Sequence, residues 1–149
     1  MSDRTDFREA LQTLLSRIEE SLAGYDEMAA RAEADIRPLV LRWKEAHEAH
    51  RPDIANLITA LGETPDGGGA VRGTVQETVI KMRDAVTGID EGTLDSLLRG
   101  EGVIRHRYED ALAAEPSPED RAVLTGQLAT LDLLRAETKA AAPGDDHPG

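Results

Sequence analysis

Two histidines interrupt an apolar helical stripe near the middle of the sequence. The stripe repeats at spacings of three, four and seven residues, as one face of a helix requires, and His47 and His50 stand where aliphatic side chains are expected. Its members are Ile36, Trp43, His47, His50, Ile54, Leu57 and Leu61. Two imidazoles on an inward face form either a functional site or a hydrogen-bonded part of the core. The residues that face the two histidines decide between these two interpretations.

Burial of a histidine is tolerated only when its ring nitrogens find partners, since each unpaired polar group costs roughly 1 to 3 kcal/mol. The expected partners are the side chains of Tyr25, Glu101 and Tyr108 and the backbone carbonyl of Glu48. Judged from spacing alone, the favoured interpretation is that both histidines are core residues satisfied in this way.

Glu101 is the second unusual residue, because it falls on an otherwise apolar helix stripe. Gly100 and Gly102 flank it, and two glycines inside a helix are costly. This pattern favours close approach of a neighbouring chain or a ligand at Glu101. The alternative is that Glu101 pairs with Arg105 or with one of the histidines.

The apolar periodicity of the whole chain predicts only helices. They cover about residues 6–33, 37–61, 71–87, 91–114 and 118–141, in one domain over 1–141, with a disordered tail over 142–149. Asp6 is the predicted cap of the first helix, and Ser117 that of the last. Pro52 lies inside the second helix, where it removes the hydrogen bond to the Glu48 carbonyl and predicts a kink.

Composition limits the classes of function. The 149 residues include no cysteine, which excludes disulfides, thiolate nucleophiles and cysteine-ligated metals and favours the cytoplasm. The net charge of −12 disfavours nucleic acid and anionic membranes as partners. No signal-peptide-like start and no apolar run of membrane-spanning length are seen. We therefore expect an acidic, soluble, cytoplasmic protein.

Four long helices with a short extra helix in the long central crossover are typical of an up-down-down-up ferritin-like bundle. Three strings, LLSRIEESLAGYDEMAA, EAHEAH followed by LITALGETP, and RGEGVIRHRYEDAL, resemble a bacterial ferritin-like family classed as a domain of unknown function (DUF2383-like). The resemblance covers nearly the whole chain. It implies ancestry shared with carboxylate-bridged di-iron proteins, and it implies no activity.

The sequence departs from the di-iron pattern, in which two helices each supply a glutamate and two others each supply Glu-x-x-His. His47 stands where a bridging carboxylate would be, Ile104 rather than histidine follows Glu101 by three, and Gln127 is a poor ligand. A complete di-iron site is therefore not expected. The remaining set of His47, His50 and Glu101 suits one iron, zinc or manganese ion.

Two functions are carried forward. The favoured one is a non-catalytic bundle that associates with itself, as a dimer for example, or with another protein. The alternative is a single transition-metal ion with a redox or storage role. A hydrolase is the weakest hypothesis, since Ser21 is the only hydroxyl nucleophile expected to face the level of the histidines and no oxyanion donors accompany it. No apolar stripe could be assigned to an interface rather than to the core.

Overall fold

The computed structural model describes residues 3–32, 34, 36–65 and 91–141. Within these ranges the chain forms four α-helices and no strand, which confirms the predicted all-helical class. The helices are α1 (Asp3–Arg31), α2 (Arg37–Ala60), α3 (Glu91–Ala113) and α4 (Pro118–Ala141). The short helix predicted over 71–87 and the tail predicted over 142–149 lie outside the described residues.

Each helix packs against two others, so that the order around the bundle is α1, α2, α4, α3. The pairs α1/α4 and α2/α3 face each other diagonally. Short turns join α1 to α2 and α3 to α4, which makes each of these pairs antiparallel. Hydrogen bonds from Trp43 to Thr138 and from Gln127 to the His50 carbonyl show that α2 and α4 are antiparallel as well. The end of α2 and the start of α3 therefore lie at opposite ends of the bundle.

The core is built from the inward stripes that the sequence predicts. Aliphatic residues dominate it, and the only tryptophan, Trp43, is 1% exposed. The largest fully buried apolar side chains are Trp43, Tyr108, Phe7, Leu11, Leu14, Ile18, Ile54, Ile58, Leu94, Ile104 and Leu124. Because almost no polar group enters this core, the few that do are conspicuous.

The helix ends follow local sequence signals in two of three cases. Gly62 has a φ of 85° and ends α2, with Gly62 N bonded to the Thr59 carbonyl at 2.9 Å and Glu63 N bonded to the Ile58 carbonyl at 3.2 Å. The Ser117 hydroxyl accepts from the Asp120 amide at 3.1 Å, as a helix cap does. The prediction for Asp6 was wrong, because α1 already begins at Asp3 and Asp6 lies inside it.

The glycines beside Glu101 do not mark a close approach of two helices within the described part of the chain, and the approach of a ligand or of another chain there stays a prediction. A methyl group added at Gly100 would meet nothing within 4 Å, and one added at Gly102 would meet only the Arg135 guanidinium, at 3.7 Å. Neither glycine is required by its surroundings in the described part of the chain.

These glycines give a matched test. Gly100→Ala should raise the free energy of unfolding by up to about 1 kcal/mol, because alanine favours a helix interior and the space is open. Gly62→Ala should lower it by about 1 kcal/mol, because a side chain is strained at positive φ. Urea unfolding of both variants checks this. Equal effects of the two substitutions would contradict the assigned helix end.

Candidate functional site

A cluster of four polar side chains lies in the centre of the bundle. We call it the core polar cluster, and it consists of Tyr25 on α1, His47 and His50 on α2, and Glu101 on α3. The exposed fractions are 5% for Tyr25, 0% for His47, 8% for His50 and 3% for Glu101. Since α2 and α3 are diagonal neighbours, a contact between their side chains must cross the bundle axis.

Glu101 connects the three helices through one oxygen. Its Oε2 atom lies 2.8 Å from His47 Nε2 and also accepts a hydrogen bond from the Tyr25 hydroxyl. A carboxylate oxygen only accepts, so we infer that Nε2 of His47 carries the shared proton. The predicted pairing of Glu101 with a histidine is therefore found, and Arg105 instead bonds Asp132 at 2.9 Å.

Two aromatic rings hold the His47 imidazole in place. The Tyr25 ring lies nearly parallel to it, with centroids 6.1 Å apart and an interplanar angle of 9°. The Trp43 ring is also 6.1 Å away, at 27°. Trp43 is fixed in turn by a 2.8 Å hydrogen bond from its Nε1 to Thr138. The orientation of His47 is thus set by packing as well as by Glu101.

Three buried atoms of the core polar cluster lack a hydrogen-bond partner in the described structure. They are Nδ1 of His47, Nδ1 of His50 and Oε1 of Glu101. The His50 ring meets the His47 ring edge-on, with centroids 6.5 Å apart and an angle of 85°. Unpaired buried atoms of this kind cost about 1 to 3 kcal/mol each, so the cluster is not optimised for stability alone.

Burial also controls the protonation of the cluster. Desolvation, followed by the charge of Glu101 and its hydrogen bond, raises the pKa of Tyr25 well above its usual 10. Tyr25 therefore stays a neutral donor. Burial, followed by the charge of His47, lowers the pKa of His50 to about 4, although Asp53 and Glu101 oppose this shift. His50 is consequently uncharged at neutral pH.

A second polar link binds α4 to the rest of the bundle. The Tyr108 hydroxyl donates to Gln127 Oε1 at 2.8 Å, and Gln127 Nε2 points to the His50 carbonyl at 3.5 Å. Burial, followed by the charges of Glu101 and Asp53, raises the pKa of Tyr108. Gln127 and Thr138 had no predicted role as partners. The available signal was their position on the inner stripe of the last helix.

The other predicted partners of the histidines lie elsewhere. Tyr108 bonds Gln127 and no histidine, which corrects the prediction for Tyr108. The Glu48 carbonyl is not the partner of either Nδ1 atom, since both are unpaired, and the Glu48 side chain lies on the surface 3.8 Å from Lys44. Pro52 is exposed inside α2, which continues to Ala60, and the kink stays a prediction.

Metal binding is not decided by this arrangement. Within the described ranges, no group of three or more histidine, cysteine, aspartate or glutamate side chains is arranged to hold a metal ion. His47 and Glu101 touch through Nε2 and Oε2, and His50 stands beside His47. The ion predicted at His47, His50 and Glu101 therefore stays a prediction, and the three side chains would need to shift for all to ligate it.

The two histidines should differ sharply in their effect on stability. His50→Leu should raise the free energy of unfolding by about 1 to 2 kcal/mol, because it removes a buried nitrogen without a partner. His47→Leu should lower it by about 3 kcal/mol or more, because it takes a partner from the buried carboxylate of Glu101. Urea unfolding with a chelator present measures both. Similar values for the two variants would contradict the assigned contacts.

Acid should destabilise the protein through His50. Between pH 6.5 and 4 the unfolded state binds a proton on His50 that the folded state does not bind. The contribution of His50 to the free energy of unfolding is therefore fully present above pH 6.5, and up to about 3 kcal/mol of it is lost as the pH falls to 4. Urea unfolding across this range tests the slope. His50→Leu should flatten it, and His106→Gln, at a histidine whose side chain is 66% exposed, should not.

Comparison with known proteins gives one match. A family model described as a domain of unknown function (DUF2383) matches residues 6–114, which include most of α1, all of α2 and α3, and none of α4. Neither the curated proteins nor the solved structures give a significant match. No helix in the described residues is long and apolar enough to cross a membrane. Since the match covers well over half of the sequence, the chain belongs to the DUF2383 family.

Proposed function

We propose that this DUF2383 member is a ferritin-like bundle without an intact di-iron site, and that it acts through association with a second copy of itself. The arrangement of the helices supports a ferritin-like relationship. Two antiparallel pairs, α1/α2 and α3/α4, are joined through residues 61–90, and the ends that these residues connect lie at opposite ends of the bundle. One long crossover between two such pairs is the connection typical of ferritin-like folds.

The composition of the core supports the loss of the di-iron site. A carboxylate-bridged iron pair uses several inward-facing carboxylates on different helices. The buried polar or charged residues of the described chain include a single carboxylate. They are His47, His50, Glu101, Gln127 and Thr138. Such a core favours a role outside di-iron chemistry, such as association through the surface of the bundle.

The outer face of α4 is the surface that favours association. Leu133 is 71% exposed there, far more than Val103 at 43% and Leu41 at 42%, the other exposed large apolar residues of the described chain. Most positions three and four residues apart on the same side are small and uncharged. The exception beside Leu133 is Glu137, four residues further on, which is paired with Arg42. The small residues are Ala122, Thr125, Gly126, Ala129, Ala136 and Ala140, all exposed, and with Leu133 they form what we call the α4 outer face. The exposure of Leu133 is the observation that carries the proposal.

A second copy is the partner that this face suits best. The chain carries a net charge of −12, so two copies repel each other wherever charged surfaces meet. The residues of the α4 outer face are uncharged, and the neighbouring Glu137 is paired with Arg42, so contact here meets less repulsion. Small residues let helices approach closely, and the space above Gly126 is open within 4 Å, so that a leucine from a second copy can pack there.

Burial of Leu133 supplies part of the free energy of such a contact. Burying a leucine that is exposed in the monomer contributes about 1.5 to 3 kcal/mol, and a two-fold interface buries the same residue twice. The α4 outer face lies beyond the residues matched by the family model.

Analytical ultracentrifugation tests the proposal. At roughly 100 μM the wild-type chain should sediment as a dimer, since an association tighter than about 10 μM is visible there. Leu133→Asp should give a folded monomer, because two carboxylates would enter the interface. Leu41→Asp, the same change at an exposed leucine of α2, is the matched control and should remain dimeric. A monomeric wild type, or a dimeric Leu133→Asp, would refute the proposal.

A further inference from the structure

We propose that His47 and His50 bind one divalent late first-row transition-metal ion through their Nδ1 atoms, and that Glu101 and Tyr25 are positioning residues rather than ligands. This site is independent of association through α4. It also differs from the predicted three-ligand set, because Glu101 acts here through His47.

The orientation of His47 is the first support. Nε2 is engaged with Glu101 Oε2 at 2.8 Å, which leaves the lone pair on Nδ1 for another partner. Histidines that bind metals usually donate their other ring N–H to a carboxylate or carbonyl, which fixes the tautomer and raises the basicity of the ligating nitrogen. The hydrogen bond from Tyr25 to the same oxygen holds the carboxylate in position.

The unpaired atoms are the second support. Nδ1 of His47 and Nδ1 of His50 are both buried and have no partner in the described structure. They belong to residues three apart on the inner face of α2, so both side chains project from the same side of one helix. Nδ1 of His47 presents a lone pair, and Nδ1 of His50 presents one in the tautomer that is protonated on Nε2, so the two unpaired nitrogens are suited to a cation.

The separation of the rings is compatible with a shared ion. The centroids are 6.5 Å apart. With metal–nitrogen distances of about 2.0 to 2.1 Å, two imidazoles on a tetrahedral ion have centroids about 5 Å apart. The rings would therefore have to close by about 1 to 1.5 Å when the ion binds.

The donor set indicates which ions fit. Imidazole nitrogen suits cobalt, nickel, copper and zinc better than it suits manganese, whose usual ligands are oxygens. No three-residue ligand group is found in the described chain, so the ion would have to bring its remaining ligands into the core as water. The buried carboxylate of Glu101 is separated from the ion by the His47 ring, and its negative charge offsets part of the positive charge of the ion.

Titration with Co²⁺ and with Zn²⁺ tests the site in the full chain without an affinity tag. Wild-type protein should bind about one equivalent, followed by calorimetry and, for Co²⁺, by visible absorption. His47→Gln and His50→Gln should each abolish this binding. The chain has four histidines, and the double variant His106→Gln/His147→Gln, which keeps only the proposed pair, should bind like the wild type. Circular dichroism confirms that each variant is folded.

Substitution of Glu101 separates a positioning role from ligation. Glu101→Gln should keep the stoichiometry of one ion and weaken the affinity about 10- to 100-fold, as loss of a partner to a ligating histidine does. Tyr25→Phe should weaken it less. If Glu101→Gln abolished binding as fully as His47→Gln, Glu101 would be a ligand and the positioning role would be wrong. No saturable binding by wild type, or binding that survives His47→Gln, would overturn the site itself.

Discussion

A carboxylate buried among aliphatic side chains is the constraint on which the architecture depends. Removing the charge of Glu101 from water is expensive, and the expense is tolerable only because His47 and Tyr25 both hydrogen-bond to it. These partners come from two other helices, and the His47 contact crosses the bundle between diagonal neighbours. A slip of α1, α2 or α3 along its axis would separate the three groups and leave a buried charge unpaired. The aliphatic contacts tolerate small shifts far better, so the polar contact defines the register.

The fourth helix completes this core although the family model ends before it. Thr138 holds the Trp43 ring that packs on His47, and Gln127 joins Tyr108 to the backbone of α2 at His50. Both contacts support the core polar cluster from outside it. The inner face of α4 therefore serves the centre of the bundle, while its outer face carries the exposed Leu133. The inner face of α4 therefore supports the proposed metal site, and its outer face forms the proposed contact with a second copy.

Much of this could be predicted from the sequence, since helical periodicity identifies the inward stripes and hence the inward aim of His47, His50 and Glu101. The pairing of Glu101 with a histidine was among the alternatives predicted, but the other partners could not be predicted, because they depend on rotamers and on which helices are diagonal. For that reason the hydrogen bond from Tyr108 to Gln127, rather than to a histidine, could not be predicted. The open space beside Gly100 in the described chain could not be predicted either, because a stripe does not reveal empty space. The exposure of Leu133 could not be predicted, because a single outward-facing leucine has no periodic signature.

Histidine side-chain NMR tests the central claim most directly. Long-range ¹H–¹⁵N correlation at pH 8, with a chelator present, identifies which nitrogen of the His47 ring carries the proton. The contact with Glu101 predicts a slowly exchanging proton on Nε2 and an unprotonated Nδ1. The Nε2 signal should change in Glu101→Gln and persist in His106→Gln. A proton on Nδ1, or a His47 ring that does not respond to Glu101→Gln, would contradict the account.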